Sequence, residues 1–280
     1  MPVKIVTDSV ADLPPQVVKE LGITIVPLNV RFGEEVYQDG IDLTTEQFYK
    51  RLRHTQFLPV TSVPAPGTFA KAYDRLAQET DEILVITLTS KLSATHEVAV
   101  QSIDLMKHKC RVEVIDSQWA VMAEGFIVIA AARAARDGAS LEELREMVHR
   151  NMSRVDMRAA FDTLEYLRRG GRIGRAQALM GSMLKVHPLI GLKNGVVEPA
   201  GRARSRARAI MSLYEFALSF SHIDEMAVED ADCPHDAALL VDRLGSIFPK
   251  ERIYRSRTTP VIGTHTGPGL LLLAIMGDKA

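Results

Sequence analysis

Apolar residues in the first half of the chain come in short runs separated by stretches of helical period. Val3-Lys4-Ile5-Val6-Thr7 reads as a strand, and Pro14 to Leu21, closed by Gly22, reads as a helix. Ile23 to Val30 is a second strand candidate. Thr44 and Gln47 occupy the N-cap and N3 positions of a capping box that opens a helix through Arg53. A helix over Phe69 to Gln78 precedes Glu82 to Leu88, a near-continuous apolar run of the kind buried on both faces of a parallel sheet. Helical residues after Ser93 and a strand from Arg111 to Asp116 come next. An alanine-rich helix from about Ala120 to Arg136 and another opened by the capping box Ser140/Glu143 complete this half. Such alternation predicts a mostly parallel sheet with helices on both faces.

Beyond Arg154 the rhythm changes. Ala159 to Asp162 reads as a short strand, Thr163 as the cap of a one- or two-turn helix, and Gly170-Gly171 as its break. Ile173 to Leu184 places Ile173, Ala176, Met180 and Met183 on one stripe and reads as a helix. Lys193-Asn194-Gly195 is a hairpin signal, because Asn-Gly accepts the two positive φ angles of a type I′ turn. A helix over Ala207 to Phe220, a strand at Met226 to Glu229, a helix over Pro234 to Phe248 and two terminal strands follow. The expected class is α/β with two α/β domains. Residues 1–155 form the one with the mostly parallel sheet, 156–280 the one with a mixed sheet and helices, and a ligand site lies between them.

Composition adds room for a cavity: 46% of the 280 residues are hydrophobic. The longest apolar run, Gly269 to Met276, is strand-sized and far below the roughly 20 residues that span a bilayer. The chain opens on a strand pattern rather than a signal peptide, and Cys110 and Cys233 form no motif, so reduced thiols and a cytoplasmic location are expected. Charge is uneven. Arg168 to Arg208 holds eight arginines and two lysines against Glu198, a local +9 that leaves −10 on the remainder of a chain of net −1. A solvated basic face would account for this, but guanidinium forks suit carboxylate and phosphate better than lysines do. Nucleic acid is not expected, since interleaved aromatics and the known binding motifs are missing.

Three loops combine hydroxyls with a helix start or tight turn: Val60 to Gly67 with Thr61 and Ser62, Leu88 to Thr95 with Ser93, and Gly263 to Gly269 with His265. Ligands of open α/β sheets bind at the carboxyl ends of strands, beside helix N-termini. Taken singly, each loop is explained by an ordinary N-cap or turn. A Ser93–His265 hydrolase is the enzymatic alternative, but no Gly-x-Ser-x-Gly elbow is present. Neither a Walker A nor a dinucleotide fingerprint occurs, and the eight histidines are scattered, so no metal is expected.

The motifs Val6-Thr7-Asp8-Ser9, Asp39-Gly40, Thr61-Ser62-x-Pro64, Val114-Ile115-Asp116-Ser117, Asp162 through Ile173 (Asp-Thr-Leu-Glu-Tyr-Leu-Arg-Arg-Gly-Gly-Arg-Ile) and Val261 through Gly269 occur in an order and spacing that resemble the DegV family of bacterial fatty-acid-binding proteins. The resemblance spans essentially the whole chain and is most specific over Asp162 to Ile173. It implies a non-catalytic lipid carrier with no cofactor beyond a bound long-chain fatty acid. The carboxylate would be held by Thr61 or Ser62 and by Ser93, with His265 close by. It implies further that Arg172 and Arg202 face a partner fatty acid kinase, which converts the bound acid to an acyl phosphate for phospholipid synthesis. Transient membrane contact fits such a role, and a lipid-responsive regulatory protein is the alternative. The loop Ser90-Lys91-Leu92-Ser93-Ala94-Thr95-His96 departs from the family's Ser-Gly-Leu-Ser-Gly-Thr-Tyr at Lys91, Ala94 and His96. Those changes bear on chain-length preference and partner contacts.

The physical account runs beside the resemblance. Neutral hydroxyl, amide and imidazole donors replace the water of a buried carboxylate at about 1.5–3 kcal/mol each, and a tail gains about 0.8 kcal/mol per buried CH₂. The tail therefore dominates affinity and the head sets orientation. Met180 and Met183 are candidate tail contacts, with plain core packing as the alternative.

Overall fold

The computed structural model describes residues 2–55, 57–182 and 186–280. Strands of the first half are β1 (Lys4–Asp8), β2 (Thr24–Val26), β3 (Asn29–Phe32), β4 (Glu35–Gln38), β5 (Val60–Ser62), β6 (Glu82–Thr87) and β7 (Arg111–Asp116). Those of the second are β8 (Val155–Ala160), β9 (His187–Lys193), β10 (Val196–Ala203), β11 (Phe220–Asp230), β12 (Ile253–Arg257) and β13 (Leu271–Lys279). The helices are α1 (Pro15–Leu21), α2 (Thr45–Leu52), α3 (Pro66–Leu76), α4 (Thr95–Gln101), α5 (Val121–Arg136), α6 (Leu141–Met152), α7 (Glu165–Arg169), α8 (Arg206–Ala217), α9 (Pro234–Leu244) and α10 (Pro260–Thr266).

Three sheets result. The first, in order β2-β1-β6-β7, is parallel throughout, as the alternation of strand and helix requires. The second is mixed, in order β10-β9-β8-β13-β11-β12, with β11 and β12 parallel and the other neighbours antiparallel. A small antiparallel sheet β4-β3-β5 was not expected. It arises because Ile23 to Val30 is not one strand. Pro27 cannot donate to a ladder, and the chain leaves the first sheet after Val26 and enters the third at Asn29.

Both capping boxes form as read, at Thr44/Gln47 and Ser140/Glu143. Asn194 and Gly195 take φ of 50° and 77°, as a type I′ hairpin requires. Two expectations change. The stretch from Ile173 is a 3₁₀ segment, Gly174–Ser182, rather than an α-helix, because Gly174 is left-handed (φ 51°) and a Cβ there would lie 2.6 Å from the Val197 carbonyl. Met183 and Leu184, read as its end, lie outside the described residues. The Gly263 to Gly269 loop is in part a helix. Pro260 fits the N1 position of α10, and Gly267 (φ 68°) ends it.

The mixed sheet is buried on both sides, and strand alternation assigns each residue a side. Ala160, Val228, Leu271, Leu273 and Ile275 pack with Ala209, Leu213, Leu240 and Leu244 of α8 and α9. Met157, Ala159, Ile190, Leu192 and Leu272 face the other way, into a core that also takes Val10, Leu88, Val121 and Phe126. That core is continuous across the two halves of the chain, and the site lies within it. Among the described residues no helix is long and apolar enough to cross a membrane.

Candidate functional site

A cavity of about 300 Å³ opens where the carboxyl ends of β1 and β6 meet the inner face of the mixed sheet. Met157, Ala159 and Phe161 enter it from β8 and the residue following it, and Ile190 and Leu192 from β9, each at every second position. Val10, Leu88 and Leu92 come from the loops after β1 and β6, and Ala120 and Val121 from the start of α5. Val121 holds φ at 55°, a conformation a β-branched residue adopts only under constraint. Its wall is otherwise apolar. Polar groups gather at one part of the lining: Thr61, Ser62, Ser93, Arg172, His265 and Thr266.

Their arrangement follows from the elements that carry them. Thr61 is the central residue of the short strand β5, and its Oγ1 lies 2.8 Å from Nε2 of His265 in the last turn of α10. The His265 Nδ1 is buried without a hydrogen-bond partner. It stands against Gly170, where a Cβ would lie 2.3 Å from that nitrogen, so the glycine pair after α7 admits the ring as well as breaking the helix. Arg172 ties the two sides of the opening together. Its Nε donates to the Leu92 carbonyl at 3.0 Å and its Nη1 to the Gly170 carbonyl at 2.7 Å. Burial, and then the Arg172 cation, push the His265 imidazole down to about 4, so the ring is neutral near pH 7 and offers one donor and one acceptor. Ser93 Oγ lies 2.8 Å from Thr95 Oγ1 and accepts from the Thr95 N–H at 3.3 Å, which fixes the hydroxyl at the start of α4.

The structure therefore brings Thr61, Ser62, Ser93, His265 and Arg172 to one cavity from four separate segments of the chain. Arg202 is exposed on β10, opposite Pro188, and is not part of the lining. A second cleft of about 300 Å³ shares Thr61, Arg172 and His265 with the first and adds Tyr166, Arg169 and Gly170, so the polar end of the cavity opens onto a basic recess. Met180 packs against the core without lining the cavity; the methionine that does is Met157. Of the three family departures, Ala94 lines the cavity, Lys91 is exposed, and His96 is turned toward Thr87 with Nδ1 at 3.3 Å from its hydroxyl. Sequence reasoning missed the cavity-facing residues on β8 and β9, although their alternation was there to read. Among the described residues no group of three or more His, Cys, Asp or Glu is arranged to hold a metal ion.

Gly170→Ala should push the imidazole away from Thr61 and weaken the binding of a ligand held by that pair about tenfold, on the order of one hydrogen bond or ~1.4 kcal/mol. Titration calorimetry checks this, and an unchanged affinity would remove His265 from the site.

An α/β scaffold with an apolar cavity lined at one part by hydroxyls, a neutral imidazole and Arg172 defines a class of small-molecule binding protein. The family model described as "Uncharacterised protein, DegV family" matches residues 2–277. Protein DegV of Bacillus subtilis is 34% identical over 287 residues, covering 97% of this chain and 98% of its own. A DegV family protein from Thermus thermophilus, described for its fatty acid binding, superposes with a TM-score of 0.91 at 32% identity, covering 99% of this chain and 100% of its own. A stearic-acid-binding protein from Eubacterium ventriosum gives a TM-score of 0.86 at 25% identity, with 98% of each chain covered. The chain belongs to the DegV family.

Proposed function

We propose that this protein binds one long-chain fatty acid, with the tail in the apolar cavity and the carboxylate among Thr61, Ser62, Ser93 and His265. The observation that carries this reading is the Thr61–His265 pair at the polar end of an otherwise greasy cavity. A buried carboxylate needs its lost water replaced, and hydroxyls with a neutral imidazole do so without a second buried charge. Arg172 at the mouth adds attraction for an anion while its Nε and Nη1 donate to two carbonyls. Fatty acid binding by the relatives from T. thermophilus and E. ventriosum supports the same ligand class. Such a site, with the boundary near residue 155, draws on both halves of the chain.

Geometry favours binding over hydrolysis. Ser93 bonds Thr95 rather than His265, and the His265 Nδ1 has no carboxylate to orient it, so the parts of a nucleophilic triad are not joined. The basic recess beside the head suits delivery: a partner fatty acid kinase reaching Arg169 and Arg172 would meet the carboxylate there. Arg202, exposed and away from the cavity, belongs to the contact surface in this reading.

Denaturing mass spectrometry of the purified protein should release fatty acid in near-stoichiometric amount; protein that releases none and takes up none on incubation with palmitic acid refutes the lipid reading. The delivery reading is tested separately with Arg202→Ala. That variant should keep its fatty acid affinity and lose about tenfold in acyl phosphate formed with a bacterial fatty acid kinase, whereas full formation would exclude Arg202 from the contact.

A further inference from the structure

His265 sits at the end of a helix of about two turns, and something must fix where that helix stops along its own axis. Thr259, at the N-cap of α10, makes no side-chain cap bond. Pro260 has no N–H to offer. The two N–H groups on either side of it are taken up by carboxylates far away in sequence. Thr259 N donates to Asp12 Oδ1 at 3.1 Å, and Val261 N donates to Asp39 Oδ1 at 3.3 Å.

Both acids are buried, with 4% and 2% of their surface exposed, and both are fixed in turn. Asp39 Oδ2 accepts from Ser9 Oγ at 2.7 Å, and that oxygen accepts from Leu28 N at 3.1 Å. Asp12 stands in a left-handed turn (φ 49°), and its carbonyl accepts from Ser256 Oγ at 3.0 Å. Sideways motion of α10 is blocked independently. A Cβ at Gly263 would lie 2.5 Å from the Phe48 ring and 2.7 Å from the Tyr49 hydroxyl, and that hydroxyl lies 2.6 Å from Thr258 Oγ1. Packing thus holds the flank of the helix and the carboxylates hold its start. Val261 and His265 are one turn apart, so a shift at the first is carried to the second.

We propose that Asp12 and Asp39 are positioning residues for fatty acid recognition, setting the axial position of α10 so that His265 meets Thr61. The inference rests on the fatty-acid reading for its ligand, but its geometric half does not. Two buried acids at one short helix are costly to keep without such a use.

The test measures affinity for palmitic acid and for hexadecanol, which share a tail and differ in the head. Asp12→Ala and Asp39→Ala should lose about tenfold in preference for the acid while hexadecanol affinity changes less than about twofold. Asp39→Asn is isosteric and keeps an acceptor for Val261, so its preference should stay within about twofold of the native protein. Equal losses for acid and alcohol, or an intact preference in the alanine variants, overturns the proposal; so does a tenfold loss in Asp39→Asn, which would assign the effect to charge rather than position. Palmitic acid that fails to bind the unaltered protein refutes the fatty-acid reading instead. The ¹⁵N shifts of the His265 ring in ligand-free protein then decide the positional claim, since they should differ between native protein and Asp39→Ala and match between native protein and Asp39→Asn.

Discussion

Ala159→Phe should leave a folded protein that no longer carries a long-chain acid. Ala159 is buried on β8 and faces the cavity between Met157 and Phe161, with Ile190 and Leu272 as its lateral neighbours. A phenyl ring at that position fills space the tail would use. Displacing on the order of five methylenes at ~0.8 kcal/mol each costs about 4 kcal/mol, close to a thousandfold in affinity. The protein itself should lose little, because the ring enters a cavity instead of a packed site; the usual cost of overpacking, about 1–3 kcal/mol, is the upper limit. Loss of co-purifying fatty acid together with a Tm within a few degrees of the native protein is the expected result. Retention of a sixteen-carbon acid at native affinity would show that the tail runs elsewhere. Ala160, one residue on, faces the opposite side against α8, and Ala160→Phe should destabilise the protein by about 1–3 kcal/mol while leaving the lipid affinity of the folded protein unchanged.

How much of this could be read in the sequence depends on how local the signal was. Strand β7, both capping boxes and the Asn194-Gly195 turn are set by residues next to one another, and the structure has them where the pattern placed them. The split of Ile23 to Val30 turned on Pro27 alone, whose missing N–H outweighs a run of apolar neighbours. Gly174 was decisive in the same way: its left-handed φ is imposed by contact with Val197, 23 positions further on, which helical periodicity does not record. Of the polar head, Thr61, Ser93 and His265 were legible as three loops, but their convergence is a property of the sheets. Arg172, which the resemblance places toward a partner, also bridges Leu92 and Gly170 at the mouth, a role no local pattern records. Asp8, Asp12, Asp39, Glu124 and Glu229 gave no hint of burial. An acid in a loop or at a strand end reads as solvated until the structure supplies the N–H groups that replace water.

Those five acids set the second large effect, a loss of stability toward alkaline pH. Each is held by N–H or hydroxyl donors. Asp8 accepts from Val10 and Leu88, Asp39 from Ser9 and Val261, Asp12 from Thr259, Glu124 from Thr7, and Glu229 from Met122 and Ser256. They also face one another, Asp8 with Asp39 and Glu124, Asp12 with Glu229, Asp39 and Glu124. Burial pushes Asp8 up to about 7, Asp39 to about 6 and Glu229 to about 8, and carries Asp12 and Glu124 well above the usual carboxylate range. A carboxyl raised in the folded state contributes stability that is complete below its unfolded value near 4 and is lost as pH rises through the folded value. The loss therefore runs from about pH 4 to about pH 8, and at ~1.4 kcal/mol per unit and per group the part that falls between pH 5.5 and 8.5 is several kcal/mol. His265 works in the opposite direction and at lower pH. Lowered to about 4, it contributes stability that is complete above its unfolded value near 6.5 and is lost as pH falls below it. Chemical denaturation at pH 5.5, 7.0 and 8.5 should show stability falling toward 8.5, and Glu229→Gln should flatten the fall because a neutral amide keeps the bonds and cannot ionise. A native curve that is level or rising over pH 6–8.5 would mean these carboxylates are ionised in the folded protein, with charge tolerated where the structure offers only N–H and hydroxyl donors to meet it.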